Sequence, residues 1–298
     1  MNNEARPTAR RISARAGLIV AVLVAFSPAS ATPHETPPAY AAPRSAVHEI
    51  SAGERTYSLY VALPPGYGAA GNADRRYPVV YLNDGDLFFM TAAGAPLLSY
   101  YNGLLEETIL VGVSYAAGEN PLASRQRDFT PAMSDAIAGE SGGAGAFLAM
   151  FEASVIPMIE RTYRADPQRR ALAGHSFGAL FGVYVLLTKP QLFADYILVS
   201  PSLWYADHWI AGLEGRYADA HDDLAARVYF AVGDLEGPKG GLKALDMVND
   251  QIAFAARLRS RTYASLVLKD EVLGEGVNHA TAFPVAYLRA LEWMFPTR

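Results

Sequence analysis

The feature that most constrains the fold is a series of short apolar runs separated by longer segments with helical periodicity. The apolar runs cover residues 55–63, 78–82, 108–113, 170–173, 195–199, 227–232 and 265–268. The helical segments cover residues 145–163, 177–188, 246–260 and 280–295. Most runs are apolar throughout, which is typical of strands buried on both faces of a parallel sheet. The alternation predicts an α/β fold with a mostly parallel central sheet and helices on both faces.

The first 31 residues have a composition of their own. Four arginines precede an apolar run of eleven residues, 16–26, and the run is followed by Ala29-Ser30-Ala31. This order is typical of a secretory signal peptide that is cleaved after a small-x-small site. The run is about half of the ~20 residues that span a bilayer, so we expect cleavage and no stable membrane span. The sequence therefore predicts an exported protein, periplasmic or secreted, and Arg10-Arg11 leaves the twin-arginine route open beside the general one.

The rest of the chain divides into two predicted parts. Residues 32–46 are rich in proline and alanine and are predicted to form a flexible lead-in. Residues 47–298 contain no repeat and no second linker, and we interpret them as one domain.

Charge and cysteine content exclude several classes of function. Loss of residues 1–31, which hold four arginines and one glutamate, takes the formal charge from −5 to −8. An acidic chain without a basic cluster argues against nucleic acid or an anionic membrane as a partner. There is no cysteine and no metal-binding or phosphate-binding motif, so we expect no metal and no cofactor. Neither the oligomeric state nor a partner other than a small molecule is indicated.

The strongest chemical motif is the pentapeptide Gly174–Gly178, which has the form G-x-S-x-G. It lies between the apolar run 170–173 and the helical segment 177–188. In that context the serine occupies a strained turn that lifts its hydroxyl above the sheet, at the positive end of the following helix. Ser176 is therefore predicted to be a nucleophile.

Residues 55 to 298 resemble the esterase D-like branch of the α/β-hydrolases, and more narrowly the bacterial enzymes related to siderophore (enterobactin-type trilactone) esterases. The resemblance implies an α/β-hydrolase fold and hydrolysis of carboxylic esters, with a siderophore lactone or an aryl-acyl ester as substrate. The stretches that carry it are residues 77–85 (YPVVYLNDG), 127–131 (RDFTP), 174–178 (GHSFG), 200–204 (SPSLW) and 278–279 (NH).

The base and the acid follow from chain order, which in this fold runs serine, acid, histidine. Of six histidines, His279 is the one that follows the predicted acid strand, and it lies in a loop before the last helix. Two carboxylates follow the run 227–232. Related enzymes favour Glu236 as the acid, and Asp234 remains the alternative. Some relatives use a serine–histidine pair alone, which would leave both carboxylates structural.

Two backbone N–H groups are expected to form an oxyanion hole. One belongs to Phe177, which follows the nucleophile. The resemblance assigns the other to Asp86, whose carboxylate must then turn away from the oxyanion. The competing interpretation of Asp84-Gly85 is a simple turn.

Three side chains are candidates for substrate contact. The match to R-D-F-T-P implies such a role for Arg127, whereas a structural Arg127–Asp128 arrangement is the alternative. Trp204 and Tyr205 follow the run 195–199 and are predicted to line an aromatic acyl pocket, with core packing as the alternative.

These residues predict a serine esterase that works through an acyl-enzyme. An acyltransferase on the same site, like the mycolyl transferases of this superfamily, is the first alternative. A non-catalytic exported binding protein that keeps the fold is the second, and a peptidase is a weaker third.

Overall fold

The computed structural model describes residues 40–241 and 245–297, so the predicted signal peptide lies outside the described residues. Eight strands form one sheet in the order β1-β2-β4-β3-β5-β6-β7-β8. β1 and β2 pair antiparallel, as do β2 and β4, and all other neighbours are parallel. The strands are β1 (Ser45–Ala52), β2 (Arg55–Ala62), β3 (Tyr77–Leu82), β4 (Ile109–Ala116), β5 (Ala165–His175), β6 (Asp195–Val199), β7 (Ala226–Gly233) and β8 (Leu266–Leu273).

Helices cover both faces of this sheet, as the sequence predicts. Along β3, Val79 and Tyr81 belong to one hydrophobic core, and Val80 and Leu82 belong to the other. A strand that is buried on both faces needs no polar alternation, which explains the continuous apolar runs. The helices are α1 (Gly85–Gly94), α2 (Leu97–Tyr101), α3 (Pro121–Phe129), α4 (Ala144–Met150), α5 (Ile156–Thr162), α6 (Phe177–Thr188), α7 (Tyr205–Ala220), α8 (Met247–Ser260) and α9 (Ala282–Met294).

Several elements differ from the prediction. β1 is an exposed edge strand without an apolar run, and it begins two residues before the predicted start of the domain at residue 47. The predicted helix 145–163 consists of α4 and α5, joined by a π-helical turn at Phe151–Val155. α1, α2, α3 and α7 were not predicted. α7 opens with a left-handed turn at residues 206–208, a conformation that helical periodicity does not signal.

The parallel strands bring four loops to one edge of the sheet. The segments after β3, β5, β6 and β7 all follow the carboxyl ends of their strands, which is where ligands bind in open α/β sheets. No helix in residues 40–241 and 245–297 is long and apolar enough to cross a bilayer.

Candidate active site

The turn between β5 and α6 places Ser176 in a strained conformation, with φ 58° and ψ −120°. Its N–H donates to the carbonyl oxygen of Val199 on β6 at 3.0 Å. The flanking glycines are required, because a Cβ on Gly174 would lie 2.3 Å from the carbonyl oxygen of Gly178. This is the strand–turn–helix geometry that a nucleophile elbow needs.

His279 is paired with a fully buried carboxylate. Its Nδ1 donates to Oε2 of Glu236 at 2.5 Å, while Oε1 accepts from the Ser200 hydroxyl at 2.6 Å and the Gly233 N–H at 2.7 Å. Burial raises the pKa of Glu236, but the hydrogen bonds from His279, Ser200 and Gly233 outweigh it and hold the pKa below its usual value. The carboxylate is therefore ionised, and the network assigns the His279 proton to Nδ1, which leaves Nε2 as a proton acceptor.

Asp234, the alternative acid, has other partners. Its carboxylate bonds to the ammonium of Lys239 and accepts from the N–H of Gly276 at 3.1 Å. Of the two candidate acids, Glu236 is thus the one that contacts the imidazole.

The Ser176 hydroxyl faces a second serine. Its Oγ lies 3.2 Å from Oγ of Ser202, and a direct Ser176–His279 hydrogen bond is not present among the described residues. The imidazole of His175, the residue before Ser176, donates from Nε2 to the backbone carbonyl oxygen of His279 at 2.8 Å. The two histidine rings are 4.3 Å apart between centroids, so the loop that carries His279 lies against the residue before Ser176.

His175 is a buried neutral residue. Burial, reinforced by the nearby His279, lowers the pKa of His175 to about 3. The ring also packs edge-on against Phe88 and Phe283, with centroids 5.3 Å and 6.4 Å away. His175 therefore has a packing role beside the turn that carries Ser176.

We expect His175 to contribute to acid destabilisation. Because its pKa is lower in the folded state than in the unfolded state, its contribution is complete above about pH 6.5 and is lost as the pH falls towards 3. At pH 5 the loss would be ~2 kcal/mol of unfolding free energy. Urea titrations from pH 7 to pH 4.5 should show a smaller loss for His175→Gln, which retains an amide donor but does not titrate. Parallel pH dependences for the two proteins would contradict this expectation.

The loop after β3 leads directly into α1. The carboxylate of Asp86 accepts from the Tyr60 hydroxyl at 2.5 Å and from the Tyr115 N–H at 2.6 Å. Its own N–H and that of Phe177 are in the first turns of α1 and α6, and neither has a hydrogen-bond partner within the described residues. Two free donors at helix N-termini are suited to binding a negative charge.

A buried ion pair that the sequence did not suggest supports this loop. Asp84, with φ 56°, accepts from Arg125 at 2.7 and 3.1 Å and from the Tyr115 hydroxyl at 2.8 Å. The Arg125 guanidinium also lies 5.5 Å from the centroid of the Phe177 ring. A Cβ on Gly178 would be 2.8 Å from the Asp84 carboxylate, so the loop after β3 is packed against the start of α6. Asp84 lies in a matched stretch, whereas Arg125 lies two residues before the stretch 127–131, so no pattern in the sequence linked the two charges.

Arg127 does not have the predicted substrate-facing position. Its side chain is buried, and its guanidinium bonds to Asp128, Glu119 and the Tyr57 hydroxyl. Because its donors are used by these groups, we correct the assignment to the structural alternative. The carboxylates of Asp128 and Glu119 offset the cost of burying the positive charge of Arg127.

Trp204 and Tyr205 lie beside the nucleophile turn and differ in role. Their ring centroids are 6.0 Å and 5.7 Å from that of Phe177. Tyr205 is buried, and its hydroxyl donates to the carbonyl oxygen of Ala132 at 2.8 Å, which is a packing role. Trp204 is half-buried, and its Nε1–H has no partner among the described residues. Of the two, only Trp204 therefore remains a candidate for the predicted contact with substrate.

The family model and two of the relatives found by comparison with known proteins are described as esterases. The family model described as "Putative esterase" matches residues 50–281. The chain is 34% identical over 168 residues to the ferri-bacillibactin esterase BesA of Bacillus subtilis, covering 52% of this chain and 55% of BesA. It is 36% identical over 156 residues to the siderophore triacetylfusarinine C esterase of Aspergillus fumigatus, covering 50% of this chain and 52% of that protein. The alignments thus span about half the length of these curated relatives.

A solved structure extends the likeness over most of the chain. The IroE-like serine hydrolase of Shewanella oneidensis superposes with a TM-score of 0.70 at 25% identity, covering 84% of this chain and 79% of that one. The sheet order, the helices on both faces and the family match agree with this likeness. The chain therefore belongs to the putative esterase family, has the α/β-hydrolase fold, and is related to the siderophore esterases.

Proposed function

We propose that the protein hydrolyses carboxylic esters through an acyl-enzyme on Ser176. The observation that carries the proposal is the hydrogen bond between buried Glu236 and His279, at the sheet edge where the elbow presents Ser176. A hydroxyl is a weak nucleophile until a base accepts its proton, and an imidazole whose tautomer is held by a carboxylate is such a base.

In the first step, Nε2 of His279 takes the Ser176 proton as Oγ attacks the ester carbonyl carbon. The carbonyl π electrons move to oxygen, and the N–H groups of Phe177 and Asp86 stabilise that charge. The intermediate collapses when His279 returns the proton to the leaving alcohol. Water then repeats the sequence on the acyl-enzyme and releases the acid. Ionised Glu236 stabilises the imidazolium in both halves.

Two observations support the proposed class of substrate: the names of the relatives and the aromatic side chains beside Ser176. The curated relatives described above are named for siderophore esters. Half-buried Trp204, beside Phe177, is suited to contact an aryl-acyl group. A siderophore lactone or a related aryl-acyl ester is therefore the proposed substrate. The signal-peptide pattern supports action outside the cytoplasm.

Two other functions are compatible with parts of the same site geometry. An acyltransferase would use the same acyl-enzyme with an alcohol in place of water, and product analysis with an added alcohol separates the two. A non-catalytic binding protein would not need the strained serine, and the elbow geometry argues against it.

A fluorophosphonate probe tests the proposal. It should label the wild type at Ser176 and leave Ser176→Ala unlabelled, because the probe reacts with an activated serine hydroxyl. Thr188→Ala, which removes a hydroxyl at the far end of α6, serves as the matched control and should label normally. Equal labelling of Ser176→Ala and wild type would show that the nucleophile is assigned wrongly.

A further inference from the structure

The turn after β6 carries two buried hydroxyls. One contacts the proposed acid, Glu236, and the other contacts the proposed nucleophile, Ser176. Ser200 and Ser202 are 0% and 1% exposed. The Ser200 hydroxyl donates to Glu236 at 2.6 Å, and Oγ of Ser202 lies 3.2 Å from Oγ of Ser176. A single short turn therefore contacts both the acid and the nucleophile.

Backbone hydrogen bonds to neighbouring segments hold this turn in a strained conformation. Ser200 has φ 48°, a left-handed value that costs energy in a residue other than glycine. Its N–H donates to the carbonyl oxygen of Ala231 at 2.6 Å, and the N–H of Ser202 donates to the carbonyl oxygen of Ser176 at 3.2 Å. The Ser202 hydroxyl is consequently held on a backbone that is itself hydrogen-bonded to the nucleophile.

Within the described residues, the Ser176 hydroxyl is the only hydrogen-bond partner of the Ser202 hydroxyl. A buried hydroxyl is costly without a partner, so the contact is favoured. At 3.2 Å it is long for two neutral hydroxyls, whereas an O–H donor to a negatively charged oxygen is held at ~2.5–2.7 Å. The hydrogen bond can therefore shorten and strengthen as negative charge develops on Oγ of Ser176. An interaction that is stronger in the transition state than in the ground state accelerates a reaction.

We propose, resting on the function proposed above, that Ser202 is a further catalytic residue that donates a hydrogen bond to Oγ of Ser176 whenever that oxygen bears negative charge. During attack the Ser176 proton goes to His279, the Oγ–carbon bond forms, and the carbonyl π electrons move to the carbonyl oxygen. In deacylation the same Oγ–carbon bond breaks and Oγ recovers the proton from the imidazolium. Ser202 keeps its own proton throughout.

The test compares Ser202→Thr with Ser202→Val, which have nearly the same shape and differ in the hydroxyl. We expect kcat/KM for p-nitrophenyl acetate to be about tenfold lower in the valine variant than in the threonine variant. The rate constant for phosphonylation by an uncharged fluorophosphonate should fall by the same factor, because it depends on attack by Ser176. Unfolding titrations measure the stability of both variants, so that a change in rate is not mistaken for a change in folding, and Ser202→Ala replaces valine if valine does not fold.

Equal rates for the threonine and valine variants, or for alanine and wild type, would overturn the role of Ser202. That result is distinct from failure of the proposed function, in which the wild type itself would neither hydrolyse the ester nor react with the fluorophosphonate. A purely structural Ser202 would change the stability of the valine variant without a hydroxyl-dependent change in the phosphonylation rate.

Discussion

Single replacement of Ser176 or His279 by alanine should lower kcat for ester hydrolysis by ~10⁶-fold, and the double replacement should be no slower than either single one. The reason is that the two side chains act as a unit: without the base the hydroxyl is not activated, and without the hydroxyl the base has no nucleophile to activate. The residual rate would come from the oxyanion donors and from substrate binding.

The measurement is kcat for p-nitrophenyl acetate in the three variants, with stability determined for each. His48→Ala is the matched histidine control, because His48 is on edge strand β1 and hydrogen-bonds to Tyr163, away from the elbow. It should keep wild-type activity. Strictly multiplicative losses in the double variant would indicate that Ser176 and His279 act independently, contrary to the proposed mechanism.

Glu236→Gln is expected to lower kcat by ~10⁴-fold, the size of effect seen when the acid of a serine triad is made neutral. The amide removes the negative charge that stabilises the imidazolium, and it no longer holds the proton on Nδ1 of His279. The fully buried site makes this loss larger than at a solvated position, because water does not replace the missing charge.

Asp234→Asn is the matched control and should change kcat by less than about threefold, because its partners are Lys239 and Gly276. A loss confined to this variant would reverse the assignment of the acid. Near wild-type activity in Glu236→Gln would instead show that a serine–histidine pair is sufficient and that the Glu236 carboxylate is structural. Equal unfolding free energies would assign the change in rate to catalysis.

The sequence supported the sheet because its central strands are buried on both faces. A strand such as β6, apolar from Tyr196 to Val199, is recognisable without knowing its neighbours. β1 was missed for the converse reason, since most of its residues are exposed and its stability comes from pairing with β2. The helices α1 and α3 were missed because they are short and closely follow strands.

At the site, local motifs were informative only where the chemistry depends on adjacent residues. The elbow is such a case, because the flanking glycines and the strained serine are all within Gly174–Gly178. Arg127 shows the limit of this reasoning: its stretch matched a family pattern, but Glu119 and Tyr57 surround its guanidinium and only the fold brings them there. The pairing of Asp84 with Arg125 was unpredictable for the same reason.

By itself, the sequence determined the class of fold, the family and the nucleophile turn, because burial periodicity and local steric limits act over a few neighbouring residues. Only the tertiary structure decided which carboxylate meets His279, that Arg127 is structural, and that Ser202 faces Ser176. Those contacts join loops from different strands, and their distances depend on the register and twist of the whole sheet, which no local pattern encodes.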